Sequence, residues 1–263
     1  MIGQNRARLG PPGNEGRAVH GFGRGGPTIE VMPCLVLGRH RHHWPLFGAL
    51  LLASAASAAL VAARVVHTGR LTYAFLVFNL ALAWVPVAFA AATHVLTALP
   101  SRRAGIAASA CAAGWLLFFP NAPYLLTDLM HLRVQSNRLL WFDVIALPSF
   151  AWTGLALGFV SLFLMQGVVA ERAGRLWSWV FAAGSIGACA FGIYLGRYRR
   201  WNSWDVLLAP IDLARDVLGV AVHPFPVMAY CVALSGMLAV AYLVFFAWTH
   251  VSGTAGASSR ATS

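Results

Sequence analysis

The chain has 263 residues, of which 59% are hydrophobic and only 10% charged, against about 25% charged in an ordinary soluble domain. That balance excludes a water-soluble globule. The net charge is +11 and all 19 basic residues are arginine, but they sit mostly beside apolar runs rather than in one stripe, so a nucleic-acid partner is excluded and contact with the lipid bilayer is the expectation.

Residues 1–31 hold eight glycines and three prolines with no helical or strand period. Such a segment cannot bury enough apolar surface to offset its ordering entropy and reads as a disordered tail, with Met32 as an alternative start. Residues 32–250 read as the transmembrane domain and 251–263 as a second disordered tail. A basic stretch, Arg39 to His43, leads through Pro45 into the run Leu46–Ala63. Ala53-Ser54-Ala55 imitates a signal-peptide cleavage site, yet the run continues for about the 18 residues that a spanning helix needs, which predicts an uncleaved first span.

Five more stretches follow: Leu71–Ala92, Ala104 to about Leu126, Val144–Ala170, Leu176–Gly196 and Pro226–Trp248, none with an Asp, Glu, Lys or Arg. At about 1.5 Å rise per residue each can cross a hydrocarbon core of about 30 Å. The predicted fold class is an all-α, polytopic transmembrane bundle of about six spans. Gly154/Gly158 and Gly192/Gly196 sit at the four-residue spacing that lets helix backbones approach closely; in a chain this rich in alanine and glycine the spacing can equally be incidental.

The third span contains Pro120-Asn121-Ala122-Pro123. Proline removes a helix donor and drives its predecessors, Phe119 and Ala122, towards extended geometry. A helix break near one membrane face is therefore expected, packed against protein or lining a wet cavity. Trp204–Val222 is too charged to span. Asn202 or Ser203 suits a cap, Asp205 a first turn and Pro210 the start of a second helix, so this is read as an amphipathic segment lying on the membrane. Near-membrane arginines number seven on each face, and the termini are assigned to the cytoplasm only because the basic cluster precedes the first helix.

Parity then fixes one relation. Two crossings separate residues 120–143 from residues 197–225, so both emerge on one face whichever way the chain inserts, and together they carry five of the eight acidic residues. Asp128 and His131, three apart, share a helical face and suit a base with its orienting group, or two metal ligands; the plainer reading is a helix cap and a histidine facing lipid heads. A single DxxH lacks the ligand count of a metal site, so no metal is assigned. Arg197, Arg199 and Arg200 can hold a phosphate, carboxylate or lipid head, and Trp201 and Trp204 can stack on a guanidinium or sugar ring; here the plainer reading is an aromatic belt with arginines reaching lipid phosphates. Asn79 and Gln166, polar groups inside spans, are expected to make interhelical hydrogen bonds. Phosphate-loop, nucleophile-elbow, zincin and dinucleotide motifs are absent from the sequence, which points to no particular cofactor.

The strings Trp115-Leu-Leu-Phe-Phe-Pro-Asn-Ala-Pro-Tyr-Leu-Leu-Thr-Asp128, Trp141-Phe-Asp143 leading to Phe150-Ala-Trp-Thr-Gly-Leu155, and Gly192-Ile-Tyr-Leu-Gly-Arg-Tyr-Arg-Arg-Trp-Asn-Ser-Trp-Asp205 resemble a bacterial family of multi-pass integral membrane proteins known only as a domain of unknown function. The resemblance spans roughly residues 46–250. It implies an inner-membrane protein and transfers no catalytic residue.

The leading expectation is a polar site at one membrane face built from Asn121, Asp128, His131, Asp143, Arg197, Arg200 and Asp205, binding an anionic lipid or lipid-linked ligand. The arginines would clamp the anion and an aspartate would serve as base or counter-charge; whether a reaction follows is left open. Two other classes compete. A small-solute transporter would use a discontinuous helix at Pro120–Pro123, although uncharged span cores weaken ion coupling. A non-catalytic membrane scaffold would bind partners through the same loops.

Overall fold

A computed structural model describes residues 44–132, 140–220 and 224–258. These lie within residues 31–263, the second of two compact units. The tail assigned to residues 1–31, the basic stretch Arg39–His43 and the arginines Arg133 and Arg138 lie outside the described residues.

Among the described residues every regular element is helical: α1 (Trp44–Thr68), α2 (Ala74–Thr97), α3 (Arg102–Phe118), α4 (Asn121–Thr127) with a 3-10 turn (Asp128–His131), α5 (Leu140–Ala173), α6 (Arg175–Tyr198), α7 (Asp205–Leu208), α8 (Pro210–Val220) and α9 (Pro224–Ser258). Six helical stretches are long and apolar enough to cross a membrane, with α3, α4 and the 3-10 turn forming one of them. This is a multi-pass, all-α bundle. The last helix runs to Ser258, past residue 250, where the sequence suggests a tail: Ser252, Gly253 and Thr254 are poor helix formers but not helix breakers.

α5 is the axis of the bundle. Of its most apolar stretch 78% is buried, against 17–39% for the other five spans. α1, α2, α4 and α6 pack against it, α3 leans on α2, and α9 leans on α6. Phe150, Leu157 and Leu162 of α5 are fully enclosed. Polar groups within the apolar layer are satisfied internally, as they must be where water is absent. Gln166 of α5 accepts from the Tyr242 hydroxyl of α9 at 2.5 Å, and Ser161 accepts from the Trp115 indole at 3.3 Å.

The proline segment departs from expectation. Phe119 is helical at φ −53°, ψ −39°, and Pro120 is helical at φ −59°, ψ −26°. Ala122 lies inside α4. The break is thus a change of hydrogen-bond register rather than an excursion to extended backbone. Ala122 N–H bonds to the Phe119 carbonyl at 3.3 Å, a one-residue tightening. The Phe118 carbonyl, which that N–H would otherwise have reached, accepts instead from the Asn121 side chain at 3.0 Å. Tertiary packing overrides the local preference: α4 is wedged between two glycine-faced helices. A Cβ on Gly154 of α5 would stand 2.5 Å from the Ala122 carbonyl oxygen, and one on Gly192 of α6 would stand 2.7 Å from Pro120 Cγ. Gly158 faces Pro123 and Gly196 faces Tyr124. Both glycine pairs therefore serve close packing, and their common partner is the proline segment.

Candidate functional site

The site is built where the chain leaves and re-enters the apolar layer beside α1, α2, α4, α5 and α6. Its centre is an ion pair. Arg197, in the last turn of α6, donates through Nη2 to Asp128 Oδ1 at 2.5 Å, with side chains 10% and 2% exposed. Nε and Nη2 also donate to Thr127 Oγ1 at 3.1 and 2.6 Å, and Nη1 lies 3.2 Å from His131 Nε2. The guanidinium rests 4.2 Å above the Tyr124 ring. On the other side Asn79 of α2 donates to Asp128 Oδ2 at 3.2 Å. The guanidinium is thus bound at all three nitrogens, and both carboxylate oxygens are bound.

A second pair adjoins it. Arg64 of α1 donates to Asp143 of α5 through Nε at 2.7 Å and Nη2 at 3.2 Å, and its guanidinium lies 4.3 Å over the Tyr73 ring. The Tyr73 hydroxyl donates to the His131 carbonyl at 3.3 Å and approaches Asp143 Oδ2 at 3.5 Å. Burial and the neighbouring Asp143 carboxylate hold the Tyr73 phenol above its usual range, so it remains a neutral donor at physiological pH. Through Tyr73 and His131 the two ion pairs form one polar lattice joining five spans.

The 201–213 segment is fastened separately. Arg199 pairs with Asp216 of α8, and the Trp201 indole donates to the same carboxylate at 2.7 Å. The Trp201 bond, followed by Arg199, lowers the Asp216 carboxyl below its usual range. Asp205 accepts from Asn202 N and Nδ2 at 2.7 and 3.2 Å. The expected caps are not made: α7 is preceded by Trp204 without a side-chain cap bond, and Ser203 instead accepts from Asn121 at 2.9 Å.

The seven expected site residues therefore divide. Asp128, His131 and Arg197 meet directly, and Asp143 joins them through Tyr73. Asn121 binds Ser203, Asp205 closes its own turn, and Arg200 is exposed at φ 63°. Of the two arginines expected to clamp an anion, Arg197 is engaged from within, while Arg200 stands exposed at the surface. An anion taking Arg197 would leave the Asp128 carboxylate unpaired, and breaking a buried pair costs about 3–5 kcal/mol. The rings that receive the arginines are Tyr73 and Tyr124, not Trp201 or Trp204. Sequence reasoning missed Arg64, Tyr73, Tyr124 and Thr127. The same parity rule would have found Arg64, since it follows span one and Asp143 precedes span four, both on one face.

Beside the ion pair lies a cavity of about 190 Å³. Phe78 and Leu82 of α2, Leu117 of α3 and Leu195 of α6 form apolar walls; Asn79, Asn121, Asn202 and Ser203 form a polar end, with Tyr124 and Trp201 between. Val206 and Leu213 of the amphipathic segment cover it. A second hollow, lined by Phe191, Val217, Val227 and Met228, offers almost no polar surface, so nothing there would orient a guest. Among the described residues, no three His, Cys, Asp or Glu side chains are grouped to hold a metal ion.

No curated protein and no solved structure matches the chain. One family does, over residues 78–246, a range that contains every residue lining the cavity and omits Arg64 and Tyr73. The chain thus belongs to the family described as "Protein of unknown function (DUF1361)".

Proposed function

We propose that this membrane protein binds the polar end of a lipid-like ligand in the cavity between α2, α4, α6 and the 201–213 segment. One observation carries the reading: apolar walls lead to a polar end beside a fixed ion-pair lattice, in a volume of about 190 Å³. Pockets that enclose a whole small ligand measure about 300–1,000 Å³, so this one suits a head group whose apolar remainder stays among the helices or in the bilayer. The amphipathic segment covering the cavity suits a position at the lipid–water boundary. An anionic head, the other ligand class suggested by the arginines, would have to compete with Asp128. The motif resemblance supports placing the protein in a bacterial cytoplasmic membrane, and the leading basic cluster supports cytoplasmic termini.

Native mass spectrometry of the purified protein tests the reading. Val206 is 39% exposed at the cavity cover, so Val206→Trp should fill the opening without disturbing the core. Wild-type protein is expected to retain a bound amphiphile that the variant loses. Equal retention by both would refute the proposal.

A further inference from the structure

Which head group fits is decided by hydrogen-bond polarity. Three asparagines line the polar end, and each has its amide nitrogen committed inside the protein: Asn79 to Asp128 at 3.2 Å, Asn121 to Phe118 O and Ser203 Oγ at 3.0 and 2.9 Å, and Asn202 to Asp205 at 3.2 Å. Asn121 has thereby spent both amide N–H groups, Asn79 and Asn202 keep one each, and the Tyr124 and Ser203 hydroxyls can donate or accept, so the lining offers acceptors together with uncharged donors. A guest that both donates and accepts fits it best. A phosphate or carboxylate brings acceptors, and the nearest guanidinium, Arg197, already has all three nitrogens bound.

Charge narrows the choice further. None of the described residues lining the cavity is charged. Of the nearby carboxylates, Asp128 is neutralised by Arg197, and Asp205, held by the neutral Asn202, lies outside the lining. An ammonium group would meet no counter-charge in the lining itself, which is costly where water is largely excluded. A hydroxyl donates without carrying charge. Trp201, locked by its bond to Asp216, adds a rigid ring at the same end, an ordered contact surface that costs a guest little entropy.

Resting on the proposed lipid-binding reading, we infer that the cavity receives an uncharged, hydroxyl-rich head group, the polyol end of a glycolipid-like amphiphile. The test uses the full chain in nanodiscs and three photoreactive probes with one diazirine-bearing octyl chain and a glucose, phosphate or ammonium head, with crosslinks mapped by peptide mass spectrometry. The glucoside is expected to label peptides containing Leu82, Leu117 and Val206 about tenfold more than either charged probe, the margin one or two net hydrogen bonds supply. Val206→Trp should abolish that labelling. Equal or stronger V206W-sensitive labelling by the phosphate or ammonium probe overturns the head-group inference and leaves the cavity reading standing. Labelling by all three probes that ignores Val206→Trp overturns both.

Discussion

The Arg197–Asp128 pair allows the sharpest test of how the rim is held. Both side chains are nearly enclosed, at 10% and 2% exposure. Asp128→Leu leaves the guanidinium buried without its anion, and Arg197→Met leaves the carboxylate without its cation. Each single change should cost about 3–5 kcal/mol. The double variant removes both charges and strands only polar neighbours: Asn79 loses its acceptor and Thr127 its donor. Leaving a buried polar group unsatisfied costs about 1–3 kcal/mol. Taking midpoints, the two stranded groups cost about 4 kcal/mol together, so the double variant should lose about as much as either single one rather than the about 8 kcal/mol of their sum, and the effects are far from additive. Reversible unfolding in bicelles by steric trapping measures all four corners of the cycle. If the double variant loses the sum of the single losses, the pair is not the coupled, desolvated unit described and the reasoning fails.

Two further outcomes are expected. Gly154→Ala puts a methyl group 2.5 Å from the Ala122 carbonyl oxygen and should destabilise by about 1–3 kcal/mol, whereas Gly184→Ala in α6 meets nothing within 4 Å and should not destabilise; thermal melts in detergent compare them, and equal melts would contradict the wedge. Because the Asp216 carboxyl is lowered when folded, its clasp on α8 contributes stability that is fully present above the ordinary carboxylate range near pH 4 and is lost as pH falls through the lower folded value. Hydrogen exchange across residues 210–220 should therefore accelerate below about pH 4 in wild type, and Asp216→Asn should exchange quickly at every pH.

Much of the architecture was readable because a bilayer imposes length and charge limits that a linear sequence displays directly. The uncharged runs marked the six spans to within a few residues, and parity alone put Asp128 on the same face as Arg197 and Asn121 on the same face as Ser203. What it could not indicate was which helix is central. In water a helix shows its core face by apolar period, but here lipid-facing Leu52 and Trp152 are as apolar as buried Leu157 and Trp115, so the distinction vanishes. Nor could local rules predict helical geometry at Phe119 and Pro120, because the cause lies in Gly154 and Gly192, distant in sequence and close in space.

The site divides in the same way. Residue type and spacing marked the polar loops, but not which of their arginines reach lipid phosphates or a ligand and which pair with an aspartate. Only the folded chain decides which charges are spent on each other: Arg197 on Asp128, Arg64 on Asp143 and Arg199 on Asp216. Composition determined that this chain lives in a membrane with its polar groups gathered at one rim, since apolar length and crossing number are properties of the sequence. Pairing depends on distances between separate helices, so the tertiary structure alone decided that Arg64, Arg197 and Arg199 are paired with aspartates and that asparagines, rather than arginines, line the cavity.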